Sequence, residues 1–153
     1  MYDTPFTPAI GIIVAMKKSL DMIKEKGLPN TFAHYAKLAK ATRAAAKALG
    51  LNVFAQETCV SNALTAIILP ATIDGEKLVK TMRDVEGITM AGGQDQLKGK
   101  AVRIAHMGCI TEEDTLAGLA CLEKVLKQMG YQFAPEAGVN AAREVFGMLT
   151  GKK

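Results

Sequence analysis

Apolar side chains recur along residues 9–26 at the spacing of one helical face. Ala9, Ile13, Met16, Leu20 and Ile23 share that face, and Lys17, Asp21, Lys24 and Glu25 cover the other. Thr7 followed by Pro8 fits an N-cap with proline at the first helical position, and Gly27 ends the run. The first half of this helix is apolar all round, because Ile10, Ile12 and Val14 project away from the main stripe. Leaving large aliphatic side chains in water forfeits roughly 1.5–3 kcal/mol apiece. The pattern is therefore read as a helix packed against another domain or subunit, in preference to a central core helix.

A second helical pattern spans residues 31–49, with Tyr35, Leu38, Thr42, Ala45 and Leu49 inward, Lys37, Lys40 and Lys47 outward, and Gly50 as its stop. The period then shortens. Residues 52–57 read as a short strand and 63–69 as a fully buried one ended by Pro70. A helix over 74–85 carries Leu78, Val79 and Met82 inward. A strand over 87–91, a loop over 92–100 and a strand over 101–106 follow. Thr111 and the acidic residues after it open a helix to residue 128 with a capping-box signature, and Leu119, Leu122, Leu126 and Met129 form its core stripe. A last helix over 136–149 places Val139, Ala142, Phe146 and Leu149 inward. Residues 1–8, with two prolines, are an extended lead-in, and 134–153 a C-terminal helical extension. The order predicts an α+β fold: a small, mainly antiparallel sheet covered by helices, in a single domain over 1–153.

Composition narrows the picture. With 153 residues, 49% hydrophobic and 22% charged, the chain can bury one continuous core, which excludes a disordered or collagen-like chain. The longest apolar stretches, 9–16 and 63–69, fall short of the ~20 residues of a membrane span. The N-terminus shows no secretory pattern. Cys59, Cys109 and Cys121 make an odd set without a CxxC pair, as expected of reduced thiols in a cytoplasmic protein. The net charge of +4 comes mostly from lysines spread over helix faces, and tryptophan is absent. Little speaks for nucleic-acid binding.

Arg103 is the most informative residue. In Ala101-Val102-Arg103-Ile104-Ala105-His106 it points to the face opposite Val102 and Ile104. A charge in the middle of a short apolar strand needs water or an anion, and arginine matches a carboxylate with two parallel hydrogen bonds. From the strand alone, an arginine on the solvated side of a half-covered sheet is the more ordinary description, and the pattern does not decide between the two. The Gly92-Gly93 loop is either a tight turn between strands or a place where backbone approaches a ligand, without any nucleotide-binding spacing. His106 and Cys109 lack a second ligand pair for a metal. His106 is read as a hydrogen-bonded structural histidine, His34 as a helix-surface one, and Cys109 and Cys121 as small packed hydrophobes.

Residues 92–109, Gly-Gly-Gln-Asp-Gln-Leu-Lys-Gly-Lys-Ala-Val-Arg-Ile-Ala-His-Met-Gly-Cys, closely resemble the closing motif of class V pyridoxal-phosphate-dependent aminotransferases of the serine–pyruvate and alanine–glyoxylate branch. The likeness runs from about residue 5 to 130. The Pro-Phe-Thr-Pro opening, the Gly-Gly-Gln-Asp loop and the helix after Pro135 look most like the subgroup labelled soluble hydrogenase small subunit. The resemblance implies the C-terminal small domain of a fold-type I pyridoxal-phosphate enzyme. Arg103 matches the arginine that holds the substrate α-carboxylate, Gly92 and Gly93 the loop bordering the substrate pocket, and Thr7 the threonine that reaches the cofactor phosphate in the neighbouring subunit. Ala105 stands where the family usually has glycine, and Thr4 where it often has tyrosine.

In this family the Schiff-base lysine and most cofactor ligands belong to a large domain preceding this segment. The expectation is thus a fragment that binds pyridoxal phosphate only as part of the full-length enzyme, partnered by that domain, a homodimer mate and a small amino or oxo acid, and inactive alone. Three unpaired cysteines do not supply the thiolate clusters that hydrogen activation would require. The competing expectation is an amino-acid-binding regulatory module using Arg103, or an interaction domain using the apolar helix.

Overall fold

The computed structural model describes residues 6–148. Its backbone divides into two compact units, one running through His34 and the other starting at Tyr35.

The first unit holds α1 (Ile10–Lys26) and the opening turns of α2 (Leu28–Ala48). Helix α1 has no buried residue, and Ile12 is 73% exposed. Even the expected inner stripe is uncovered: Ile13, Met16 and Leu20 are exposed and Ile23 only half-buried. The cap differs from the expectation as well. Ala9, not Thr7, stands at the N-cap, without a side-chain bond, and the Ile10 N–H donates to the Pro8 carbonyl instead. Gly27 ends α1 as expected, at φ 82°, with its N–H on the Ile23 carbonyl. Helix α2 starts three residues earlier than its apolar pattern suggested. Pro29 falls in the first turn, where no N–H is needed, and the Thr31 hydroxyl and N–H both donate to Gly27.

In the second unit, β1 (Asn52–Val53), β2 (Leu64–Ile68), β3 (Ala91–Gly92) and β4 (Ala101–Ala105) form a four-stranded antiparallel sheet in the order β1-β2-β4-β3. Helices α3 (Gly75–Asp84), α4 (Glu112–Gln128) and α5 (Ala137–Phe146) complete the unit. The α+β architecture is the expected one. Register divides the sheet cleanly, since Thr65 pairs with Ile104 and Ile67 with Val102, while Ala66 pairs with Arg103 and Leu64 with Ala105. The Ile67/Val102 face is buried with Leu49, Leu78, Met82, Leu122, Val125 and Leu126. The other face is half-covered, so the expectation that 63–69 is buried on both sides is corrected: Leu64 is exposed, and Ala66 and Ile68 are half-buried.

Two strands are shorter than their patterns. The 52–57 run leaves the sheet after the Phe54 N–H meets the Ala66 carbonyl, and turns into a 3-10 segment at Glu57–Cys59. Of 87–91 only Ala91 enters the ladder, with Gly92; Ile88 and Met90 pack against the core outside the ladder, and the Ile88 N–H donates to the Met82 carbonyl. Asp74 caps α3 through the N–H groups of Glu76 and Lys77, and Thr111 with Asp114 forms the expected capping box of α4.

Leu38, Ala41 and Ala45 of α2 join Leu119 of α4 with Val139, Ala142 and Phe146 of α5 in a second core. Helix α5 ends at Phe146, and Leu149 lies outside the described residues. Its own N-cap, Glu136, makes no side-chain cap bond. The buried Glu123 of α4 acts there instead, accepting the Val139 N–H at 2.8 Å. Among the described residues, no helix is long and apolar enough to cross a membrane.

Candidate functional site

Strand β4 runs through the middle of the sheet, so period two sends Ala101, Arg103 and Ala105 to the half-open face. Arg103 sits directly between Ala66 of β2 and Ala91 of β3, two side chains that leave space above the strand. Its Nε donates to the Gly92 carbonyl at 2.9 Å. Among the described residues no carboxylate pairs with it, whereas Arg83 is engaged by Asp84. Leu64, Thr89, Met90, Ala91 and Ala105 surround it in a depression of about 340 Å³. A half-buried guanidinium that lines such a depression with its Nε held has its Nη groups left to take a planar anion by charge-assisted hydrogen bonds.

The Gly92-Gly93 loop abuts this arginine. Gly92 closes the β3 ladder opposite Val102, and Gly93 passes so close to Leu97 that a Cβ would lie 2.6 Å from the Leu97 carbonyl carbon. The structure thus brings three expected site residues together: Arg103, Gly92 and Gly93. Thr7, the fourth, is an exposed residue of the first unit. Leu64, Met90 and Ala91 were not legible as site residues, because their placement needs the strand register. Arg103 at the centre of its strand was the available signal.

His106 belongs to the opposite face. It is 1% exposed, its Nε2 lies 2.9 Å from the Thr65 hydroxyl, and its N–H donates to the Ala63 carbonyl. Burial, with a smaller contribution from Arg43, lowers its pKa from 6.5 to about 4, so the ring is neutral at pH 7. It is the hydrogen-bonded structural histidine that was expected. Cys109, by contrast, is exposed and does not pack as a small hydrophobe. Cys121 is half-buried, and burial followed by the Glu86 carboxylate pushes its thiol pKa up. Among the described residues no three His, Cys, Asp or Glu side chains gather as a metal site.

Two larger clefts carry cations as well, several of them already engaged. One, of about 670 Å³, borders Gly92 and Gly93 on the α3 side, but its Lys98 is paired with Glu76 and its Arg83 with Asp84. The other, of about 620 Å³, lies between α2 and β1, where Lys47 bonds Glu57 and lowers that carboxyl's pKa.

No family model matches the chain. It is 42% identical over 145 residues to a protein named soluble hydrogenase, small subunit, of Synechococcus sp., covering 94% of this chain and 38% of that protein. It is 38% identical over 139 residues to the serine–glyoxylate aminotransferase of Arabidopsis thaliana, covering 90% and 35%. The crystal structure of pyridoxamine–pyruvate aminotransferase from Mesorhizobium loti superposes with a TM-score of 0.89 at 30% identity, over 95% of this chain and 38% of that one. Ureidoglycine–glyoxylate aminotransferase of Bacillus subtilis superposes with a TM-score of 0.83 at 30% identity, over 87% and 35%. The chain spans little more than a third of the length of these relatives. With its Gly-Gly loop and strand arginine in a matching α+β fold, the chain is a homologue of class V aminotransferases, corresponding to their C-terminal domain.

Proposed function

We propose that these residues form the substrate-carboxylate-binding small domain of a pyridoxal-phosphate-dependent aminotransferase acting on small amino acids and oxo acids. One observation carries the reading: Arg103 stands on the half-open sheet face between two alanines, bonded through Nε to Gly92 and to no carboxylate among the described residues. Charge-assisted hydrogen bonds from such a group contribute about 1.5–3 kcal/mol each. Leu64, Met90 and the Ala105 methyl border the same depression, which favours a ligand with a small side chain. Gly92 and Gly93 form its rim.

The residues fit a peripheral contact to pyridoxal phosphate and not its covalent anchor. Thr7 is exposed, as a phosphate contact has to be. Among the described residues every lysine is exposed except the half-buried Lys37, which is bonded to Glu112 at 2.6 Å. When bound, the cofactor supplies the electron sink for bond breaking at the substrate α-carbon. The part of this chain is to hold the carboxylate and orient the acid. The Schiff-base lysine and the remaining cofactor contacts are assigned to a large domain preceding these residues in the full-length, cytoplasmic enzyme, so this chain alone is inactive. The uncovered apolar surface of α1 is assigned to packing against that domain or a homodimer partner. Helix α5 is assigned to a C-terminal helical extension of the same small domain.

Calorimetric titration of the chain with pyruvate, in parallel with Arg103→Gln, tests the reading. Weak, saturable binding that Arg103→Gln abolishes is expected, whereas tight binding by the chain alone favours the regulatory module. Equal heats from both proteins overturn it.

A further inference from the structure

The bond between Arg103 Nε and the Gly92 carbonyl decides which edge of the guanidinium remains for a ligand. β3 is the edge strand, and Ala91 pairs directly with Arg103 on the same face. The Gly93 N–H donates to the Ala101 carbonyl at 2.8 Å. It shares one planar trans peptide with the Gly92 carbonyl, which therefore points the opposite way, toward the outer edge of β3. To reach it, the Arg103 side chain passes over Ala91.

The loop that follows this peptide is braced by its own hydrogen bonds and by the start of α3. The Leu97 N–H donates to Gln94 and the Lys100 N–H to Leu97, and the Gly75 N–H at the start of α3 donates to Gly99. The resulting turn is so tight that the Leu97 carbonyl occupies the place of a Cβ on Gly93. A Cβ at 93 would lie 2.0 Å from the Leu97 carbonyl oxygen, so any larger residue forces the backbone to shift beside the peptide whose oxygen holds Arg103.

We propose that Gly92 and Gly93 are positioning residues for Arg103, fixing its guanidinium so that a carboxylate is received end-on, by Nη1 and Nη2, and not along the Nε side. The proposal rests on the carboxylate reading above and adds to it the binding edge and the device that sets it. Ala91 belongs to the device, since a longer side chain there obstructs the path of the arginine.

Side-chain nitrogen–proton spectra test this, because the chain has only four arginines and Arg103→Lys assigns the signal. The Arg103 Nε–Hε signal of the wild type is expected to exchange slowly. Added pyruvate is expected to shift the Nη signals while leaving that protection in place. Gly93→Ala and the edge-strand variant Ala91→Ile are each expected to abolish the protection and weaken pyruvate binding about tenfold, the loss of roughly one oriented charged hydrogen bond. Rapid Nε–Hε exchange in the wild type overturns the proposal, whether or not Gly93→Ala folds. Retained protection with unchanged pyruvate affinity in folded Ala91→Ile or Gly93→Ala overturns it as well. A protected Nε–Hε without any pyruvate binding supports the positioning contact and overturns the carboxylate reading.

Discussion

Arg103 and His106 lie three residues apart on one strand and its exit, yet opposite faces give them opposite physics. Arg103 stays half-exposed on the open face, while His106 is sealed beside Thr65 with its pKa lowered to about 4. In the unfolded chain that ring protonates near pH 6.5, so between the two values the unfolded state binds more protons and stability falls as pH falls. The expected loss from this one ring, from above pH 6.5 down to about pH 4, is about 3 kcal/mol. Denaturant titrations across that range should show the slope, and His106→Gln should flatten it. An equally steep slope in the variant would assign the acid sensitivity to other groups. The facing of both residues was readable from strand alternation alone. The Gly92 contact was not, because it depends on how β3 pairs with β4, and only Ala91 of the expected 87–91 strand, with Gly92 beyond it, joins that ladder.

The helices show the same division between local and non-local information. Asp74, Thr111 and Gly27 mark helix ends by chemistry contained in a few residues, and those ends were readable. The start of α5 was also readable to within one residue, but its cap was not, since that comes from Glu123 of another helix. Gly138 makes that approach possible: a Cβ there would lie 2.9 Å from Glu123 Oε1 and 3.0 Å from Leu49 Cγ. Gly138→Ala should therefore destabilise the chain by about 1–3 kcal/mol, measured by chemical denaturation, despite alanine's better helix propensity. A stabilised variant would show that α5 does not dock as described. On α1 the prediction has the opposite character. Ile12 is exposed, so Ile12→Lys should change stability by no more than about 0.5 kcal/mol while lowering self-association in analytical ultracentrifugation. A large stability loss would mean that this side chain is already buried within the chain.

At the scale of the whole molecule, element order and sheet type were legible because each helix and strand carries its own period, and four antiparallel strands with helices on one face satisfy all of them. What a period does not carry is partnership. The apolar first half of α1 announced a missing cover, and the structure leaves it uncovered. The half-open sheet face presents Arg103 without any buried lysine among the described residues to anchor a cofactor. On the proposed reading recognition and reaction are separate contributions, and these residues make only the first. The most direct measurement is to incubate the chain with pyridoxal phosphate, alanine and glyoxylate and to quantify pyruvate. The account predicts no pyruvate beyond that formed by the cofactor alone. Catalytic turnover by the chain on its own would contradict it.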